Sequence, residues 1–163
     1  MSDIQVPSHE IILVQSEEER QQCYDVRIKV FHIEQKFPLE TEIDDTEDAS
    51  AHFLLRLTPS LEPIGTIRAY KMPGANYYKL SRLAVLKEYR QHRLGRELVL
   101  SLHDWVKGQA QQKGTLESVE IVCHSQVPVK GFYAKFGYEP VGAEFDEDGD
   151  PHQKMVLCMP LQP

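Results

Sequence analysis

The spacing of apolar residues predicts a chain of alternating strands and helices. Glu10 to Val14 is a short apolar run typical of a strand, and Ser16 followed by Glu19 is the capping-box signature of a helix start. Apolar residues then recur at intervals of three and four, which predicts a first helix ending at about Gln35. Pro38 and the acidic stretch after it break this pattern.

Strand signals occupy the middle of the chain. Ala51 to Thr58 and Ile64 to Lys71 predict two strands joined by a proline-containing turn. A second turn around Gly74 leads into a third strand of this group, Tyr78 to Leu86.

The helical period returns after these strands. Five apolar residues fall on one helical face, in a helix that ends near Gly114: Leu94, Leu98, Leu102, Trp105 and Val106. A strand, a short helix and two final strands are predicted at Val119–Cys123, Val129–Phe136, Tyr138–Phe145 and Gln153–Met159. The predicted order is therefore β, α, β, β, β, α, β, α, β, β.

Composition favours one domain without disulfides. A chain of 163 residues with 41% hydrophobic residues can bury a full core, so we expect a single domain over residues 1–163. The three separated cysteines, Cys23, Cys123 and Cys158, are typical of a reducing compartment, which points to the cytoplasm, with the nucleus as the alternative. Met1 to His9 does not resemble a signal peptide, and no apolar run is long enough to predict a membrane span.

Charge is distributed unevenly along the chain. A net charge of −7 argues against nucleic acid as a partner. Six basic residues against one acid lie between Lys79 and Arg96, which suits a small polyanion. Acidic runs at Glu40 to Asp48 and Glu144 to Asp150 could attract a cation, and a solvated surface is the alternative for each run.

Residues Leu83 to Arg96 predict a strand that runs through a turn into a helix start. The unpaired N–H groups and the dipole of a helix start bind phosphate anions. The segment is not a P-loop, because no Gly-Lys-Ser/Thr follows, and it lacks the three spaced glycines of the dinucleotide fingerprint. A pyrophosphate site of another kind is expected here.

This segment resembles the central signature of the GNAT superfamily of N-acetyltransferases, which is Arg/Gln-x-x-Gly-x-Gly/Ala after a strand. Arg90 and Gly95 match the first and last positions, whereas Arg93 stands where the family has its middle glycine. A glycine lets the backbone approach phosphates closely. An arginine with ordinary backbone dihedrals would still offer its N–H.

Three further segments resemble the ElaA/YjcF-like branch of the superfamily. They are the string Val26 to Gln35 with Pro38, Glu42, Asp44, Asp48 and His52 downstream, the segment His124 to Tyr138, and the hairpin Asp148 to Met155. Together they extend the resemblance over nearly the whole chain.

The resemblance implies an α/β (α+β) fold with a mixed, mostly antiparallel sheet of about seven strands flanked by helices. The fourth and fifth strands of this GNAT fold splay apart and admit the pantetheine arm of acetyl-CoA. Leu83 and Val85 would contact it through strand backbone, and the amides from His92 to Arg96 would hold the pyrophosphate. The full implied cofactor set is Leu83, Ala84, Val85, Arg90, Gln91, His92, Arg93, Leu94, Gly95, Arg96 and Gln126.

The resemblance also implies direct attack of a neutral amine on the thioester. Tyr133 occupies the position of the family's proton donor to the leaving thiolate, and plain packing beside Phe132 is the alternative. Glu34 is the candidate general base, with an exposed surface role as the alternative. The implied acceptor-binding residues are Gln35, Glu42, Asp44, His124 and His152.

We therefore expect an N-acetyltransferase that moves acetyl from acetyl-CoA to a primary amine of a small, cationic metabolite. A protein or peptide acceptor is one alternative, and a non-catalytic CoA-binding module is another. No metal is expected, because His52, His124, His152 and Cys123 lack the close ligand spacing of zinc sites. A homodimer is left open.

Overall fold

The computed structural model describes residues 5–114 and 117–161, so Met1 to Ile4 of the polar N-terminal segment lie outside it. The strands within the described ranges are β1 (His9–Leu13), β2 (Ser50–Leu57), β3 (Pro63–Lys71), β4 (Tyr77–Val85), β5 (Ser118–Gln126), β6 (Glu139–Pro140), β7 (Phe145–Glu147) and β8 (Asp150–Pro160). The α-helices are α1 (Glu17–Arg27), α2 (Leu94–Gln111) and α3 (Lys130–Ala134). A π-helix, Ile28–Glu34, continues α1, and short 3-10 helices lie at Leu39–Thr41, Glu47–Ala49, Lys87–His92 and Val127–Val129.

The strands form one mixed sheet flanked by helices, as expected. Its order is β1-β2-β3-β4-β5-β8-β6, and β7 also pairs with β8. β4 and β5 are parallel, whereas β1 pairs with β2 and β5 pairs with β8 in antiparallel fashion. The mixed sheet confirms the fold class that the resemblance implies.

The parallel pairing of β4 with β5 covers only part of both strands. Its register runs from Tyr77–Glu120 to Leu80–Cys123, while β4 continues to Val85 and β5 continues to Gln126. Arg82 has a φ of 58°, in the left-handed region, which interrupts the extended geometry of β4 just beyond the paired residues.

The start of α1 matches the predicted capping box closely. The Glu19 N–H donates to Ser16 Oγ at 3.1 Å, and the Glu19 carboxylate accepts from the N–H of Gln15 at 2.9 Å. The helix then widens, and the Gln35 N–H donates to the Val30 carbonyl, five residues earlier, at 3.0 Å. The predicted helix end at Gln35 is thus reached by a π-helix rather than by α1 itself.

The predicted strand Tyr138–Phe145 is wrong. The segment forms the two-residue strand β6, a bend, and the start of β7. Gly142 in the bend has a φ of 76°, a conformation that an extended strand does not contain. β6 and β7 then pair with different parts of β8, opposite Val156–Met155 and His152–Asp150.

The chain forms two compact units. The first contains the chain up to Ile43 together with Ala51–Arg68 and Arg82–Ser101, and the second contains Asp44–Ser50, Ala69–Ser81 and the chain from Leu102 onward. Fully buried residues of the first unit include Leu54, Leu55, Ile64, Ile67, Leu94 and Leu98. Those of the second unit include Leu80, Leu102, Ile121 and Met155.

In the first unit, β2, β3 and β4 pack closely around Gly65. A Cβ on Gly65 would lie 2.8 Å from Leu55 Cδ2 and 3.2 Å from the Ala84 carbonyl oxygen. A glycine is therefore needed at this point for the strands to approach.

Among the described residues, no helix is both long and apolar enough to cross a bilayer.

Candidate functional site

In the first unit, the predicted cofactor segment folds as a strand, a turn and a helix start. β4 ends at Val85, a 3-10 helix spans Lys87–His92, and α2 begins at Leu94. Leu94 is fully buried and anchors the first turn of α2, whereas Gln91, Arg93 and Arg96 are exposed. The helix start therefore lies at the surface, with two cationic side chains beside it.

Arg93 does not have the ordinary backbone dihedrals that the sequence analysis required of it. Its φ and ψ are 58° and 29°, which is the left-handed conformation. Glycine adopts this conformation without steric cost, whereas a residue with a Cβ does so at a cost. Arg93 thus has the kind of backbone conformation that glycine adopts readily, and its side chain adds a cation.

Arg90 is held by two other parts of the first unit. Its guanidinium donates to both carboxylate oxygens of Glu34, at 2.5 and 2.6 Å, and its Nε donates to the Val85 carbonyl at 2.9 Å. The hydrogen bonds from Arg90 lower the pKa of the Glu34 carboxyl. This pairing joins the end of the π-helix to the turn after β4.

These contacts bear on both predicted roles. Glu34 has a lowered pKa and both oxygens engaged, so it is a weak proton acceptor in this arrangement. The guanidinium of Arg90 is engaged by Glu34 and Val85, whereas Lys87, Arg93 and Arg96 are exposed cations of the segment. Gln35, the C-cap of the π-helix, is exposed next to Glu34.

Glu42, predicted to bind the acceptor, is buried in an ion-pair cluster of the first unit. Its carboxylate lies 3.4 Å from Arg27 Nε and 3.6 Å from Arg82 Nη1, and Arg27 also donates to the Glu42 carbonyl. Arg82 donates further to the Thr41 carbonyl at 2.8 Å. This cluster has no signal in the sequence, because Arg27 lies on the apolar helix face and Arg82 lies within a strand.

In the second unit, Asp44 organises a turn. Its carboxylate accepts from the N–H and the hydroxyl of Thr46, at 2.9 and 2.6 Å, and its own N–H donates to Glu47 at 3.0 Å. The 3-10 helix Glu47–Ala49 directly follows this turn. In this structure the described contacts of Asp44 therefore serve the local fold.

Tyr133 lies in α3 of the second unit, in a cluster of aromatic rings. Its ring centroid is 5.1 Å from that of Phe132 and 5.6 Å from that of Tyr138. Burial raises the pKa of Tyr133 well above its usual range, and the nearby Cys123 thiol adds to the shift. Tyr133 is therefore a neutral hydrogen-bond donor rather than an acid that ionises readily.

A buried histidine lies behind this cluster. His103 of α2 is 2.8 Å from the Tyr138 hydroxyl through Nε2, and burial lowers the pKa of His103 to about 4. His103 is therefore neutral at pH 7. Burial raises the pKa of the Cys123 thiol to about 12, so Cys123 is not a thiolate nucleophile.

The structure brings together the predicted residues His124 and His152 of the second unit. Glu147 of β7 lies between them, with one oxygen 2.9 Å from His124 Nδ1 and the other 3.7 Å from His152 Nε2. Gln126, predicted to bind the cofactor, lies opposite His152 in the β5–β8 register. Glu147 has no signal of its own in the sequence, because it lies in an acidic run typical of a charged surface and its partner His124 lies 23 residues away.

Comparison with known proteins places these features in a family context. The chain matches the acetyltransferase (GNAT) domain family over residues 14–159. It is 30% identical over 146 residues to the uncharacterized N-acetyltransferase YjcF of Bacillus subtilis (strain 168), covering 89% of this chain and 96% of that relative.

Two solved structures show the same fold. Escherichia coli ElaA superposes with a TM-score of 0.72 at 20% identity, covering 91% of this chain and 97% of ElaA. An acyl-CoA N-acyltransferase from Pseudomonas aeruginosa superposes with a TM-score of 0.75 at 19% identity, covering 91% of this chain and 99% of the acyltransferase.

The described residues contain no group of three or more His, Cys, Asp or Glu that could hold a metal ion.

Proposed function

Because the chain belongs to the GNAT acetyltransferase family, we propose that it transfers the acetyl group of acetyl-CoA to the primary amine of a small, cationic metabolite. Members of this family use an acyl-CoA as co-substrate. Three features refine the proposal: the turn before α2, the buried tyrosine of α3, and the distribution of accessible carboxylates.

The turn at Arg93 is the observation that carries the cofactor proposal. A left-handed residue directly before a helix start directs consecutive backbone N–H groups toward one point, and the helix dipole adds positive charge there. The exposed side chains of Arg93 and Arg96 suit the pyrophosphate of CoA. The amides from His92 to Arg96 would bind this group.

The same observation bears on the alternative of a non-catalytic CoA-binding module. The replacement of the signature glycine by Arg93 is the sequence feature that most favours this alternative. Since Arg93 adopts a conformation typical of glycine, the replacement does not by itself disable the turn.

Tyr133 supports the leaving group in this proposal. Its pKa is raised by burial, so a full transfer of its proton is unfavourable, whereas a hydrogen bond to the developing thiolate is not. We therefore assign it stabilisation of the thiolate, which takes its proton from solvent. Leu83 and Val85 would contact the pantetheine arm through their backbone.

A cationic acceptor is supported by the acids of the run Glu40 to Asp48. Glu42 and Glu47 are buried, so the exposed carboxylates of the run are those of Glu40, Asp45 and Asp48. Negative side chains at a surface raise the local concentration of cationic amines. The acidic run thus supports a preference for a positively charged acceptor.

The experiment is acetyl-CoA-dependent thiol release with spermidine, glucosamine, lysine, glycine and a basic peptide as acceptors. We expect release with at least one amine, with the cationic small molecules favoured. Release with the peptide alone would contradict the small-molecule acceptor. Calorimetric binding of acetyl-CoA without release for any amine would favour the binding module.

A further inference from the structure

We propose that His124 is the catalytic proton acceptor for the attacking amine, and that Glu147 is the residue that positions its imidazole. The proposal rests on the proposed function, since it names the base of the same reaction. Four observations in the second unit carry it: the contact with Glu147, the neighbouring His152, the packing of Phe145, and the position of His124 on β5.

The contact with Glu147 fixes which nitrogen of His124 carries the proton. The hydrogen bond from His124 lowers the pKa of the Glu147 carboxyl, so that the carboxylate accepts and His124 Nδ1 donates. Neutral imidazole with a proton on Nδ1 has its lone pair on Nε2. Nε2 is therefore available to take a proton, as in the carboxylate–histidine pairs of hydrolytic enzymes.

His152 and Phe145 restrict the movement of this pair. His152 Nδ1 lies 2.9 Å from the Asp150 carbonyl, which fixes its ring, and its Nε2 faces the second oxygen of Glu147 at 3.7 Å. The Phe145 ring lies against both imidazoles. Its centroid is 5.0 Å from that of His124, in an edge-on arrangement, and 6.2 Å from that of His152, in a stacked arrangement. The carboxylate and the imidazole it holds are thus enclosed on more than one side.

Other charged groups face the pair from the neighbouring strands. Lys154 of β8 is opposite His124 in the register, and Lys79 of β4 is opposite Val122, two residues before His124 on the same sheet face. Lys79 and His152 each help to lower the pKa of Glu147. Lys79 and the second histidine, His152, therefore favour the ionised carboxylate that the arrangement needs.

The position of His124 on β5 suits a reaction at the strand edge. It directly follows Cys123, the residue at which the pairing of β5 with β4 ends. Its side chain is 27% exposed, in contrast to the buried Cys123 and Ser125 on either side. A thioester bound along the edge of β5 beyond Cys123 would therefore have an accessible imidazole beside it.

In the proposed step, the amine lone pair forms a C–N bond to the thioester carbon, and the C=O π pair moves to oxygen. His124 Nε2 takes one proton from the resulting ammonium nitrogen. The oxyanion re-forms C=O as the C–S bond breaks, the electron pair leaves on sulfur, and the thiolate takes a proton from solvent. His124 then returns its proton to solvent.

The first test removes the imidazole and replaces it from solution. We expect His124→Ala to lower kcat with the fastest amine of the panel by roughly a hundredfold to ten-thousandfold, with the Kd for acetyl-CoA nearly unchanged. Added imidazoles should restore turnover in the order of their basicity: 4-methylimidazole, then imidazole, then 4-bromoimidazole. His124→Gln retains a side chain of similar size and is a second variant in case His124→Ala does not fold. The midpoint of thermal unfolding shows whether each variant is folded.

The second test asks whether Glu147 acts through His124. Glu147→Gln keeps a hydrogen-bond acceptor and removes the charge, so we expect a loss of about tenfold or more in kcat. In the His124→Gln background the same change should cost almost nothing, because the group that Glu147 positions is gone. A merely structural Glu147 would cost the same in both backgrounds.

The failures of the two proposals are distinguishable. A wild-type chain that releases no thiol with any amine overturns the proposed function and the base assignment together. If the wild type is active and His124→Gln is equally active, the base assignment alone is overturned. The same holds if added imidazoles restore turnover of His124→Ala to an extent that does not depend on their basicity. A comparable loss in Glu34→Gln combined with wild-type rates in His124→Gln would return the role of base to Glu34.

Discussion

Arg93 combines two properties that a signature glycine cannot combine. Its backbone is left-handed and its side chain is an exposed cation next to a helix start. The left-handed conformation costs a residue with a Cβ about 1 to 2 kcal/mol relative to its ordinary conformations. The presence of arginine at this position is explained if the guanidinium contacts the anion bound there.

Two substitutions separate these properties. Arg93→Gly and Arg93→Ala both remove the cation, so both should weaken acetyl-CoA binding by a similar factor, several-fold at low salt. Only Arg93→Ala keeps the steric cost, so Arg93→Gly should have the higher free energy of unfolding, by about 1 kcal/mol. Calorimetric titration and urea denaturation measure the two effects. Equal stability of the two variants would contradict the left-handed turn.

Tyr133 allows packing and chemistry to be separated at a single oxygen. Tyr133→Phe keeps the ring contacts with Phe132 and Tyr138 and deletes the hydroxyl. We expect the chemical step to slow by roughly tenfold to a thousandfold, with acetyl-CoA affinity nearly unchanged. Single-turnover measurements report this step, and the loss should shrink for an acyl donor with a more acidic thiol. Equal single-turnover rates would leave Tyr133 as a packing residue.

At the scale of elements, β3 depends on the missing side chain of Gly65. An added Cβ would press on the Leu55 side chain and on the Ala84 carbonyl, and the second of these cannot rotate away. Gly65→Ala should therefore lower the free energy of unfolding by about 1 to 3 kcal/mol. Gly108→Ala is a matched control, because a Cβ at Gly108, in the last turn of α2, meets nothing within 4 Å. Similar stability losses for both variants would contradict close strand packing at Gly65.

Most of the elements could be predicted in their order because they have local signals. The capping box at Ser16, the apolar stripe of α2 and the turn after Val85 depend on residues close together in sequence. Contacts between distant segments had no such signal. The bidentate pair of Glu34 with Arg90 spans 56 residues, and Glu34 alone looked like a plausible free carboxylate.

The short strands near the end of the chain were missed for a related reason. β6 and β7 exist because each finds a partner in β8, whereas local propensity over Tyr138 to Phe145 indicates one continuous strand. Glu147 owes its position to that arrangement. The histidines His124 and His152 could be identified as candidates from the sequence, but the carboxylate between them could not.

At the scale of the whole molecule, buried titratable groups set how stability depends on pH. The folded-state pKa of His103 is about 4, against 6.5 for an ordinary histidine. The unfolded chain therefore binds more protons than the folded protein between these values. His103 therefore does not lower the free energy of unfolding above pH 6.5. It lowers that free energy by up to about 3 kcal/mol as the pH falls toward 4.

A variant isolates this contribution from those of other groups. His103→Gln can still hydrogen-bond the Tyr138 hydroxyl but cannot gain a proton, so its free energy of unfolding should fall less between pH 7 and pH 4.5 than that of wild type. Parallel curves of unfolding free energy against pH for wild type and His103→Gln would contradict a buried neutral imidazole.

The contribution of His9 to stability depends on pH in the opposite direction. The pKa of His9 is raised, chiefly by its hydrogen bond to Glu97. The stabilising effect of His9 is therefore present below pH 6.5 and is lost as the pH rises through its folded-state pKa.

The pairing of β8 has a consequence for synthesis on the ribosome. β5 is bonded along its whole length, from Ser118–Pro160 to Gln126–His152, to a strand that is translated after it. β6 and β7 depend on the same strand. Until β8 has left the exit tunnel, β5 therefore has an unpaired edge, and the nascent chain is exposed to aggregation and to chaperones during this interval.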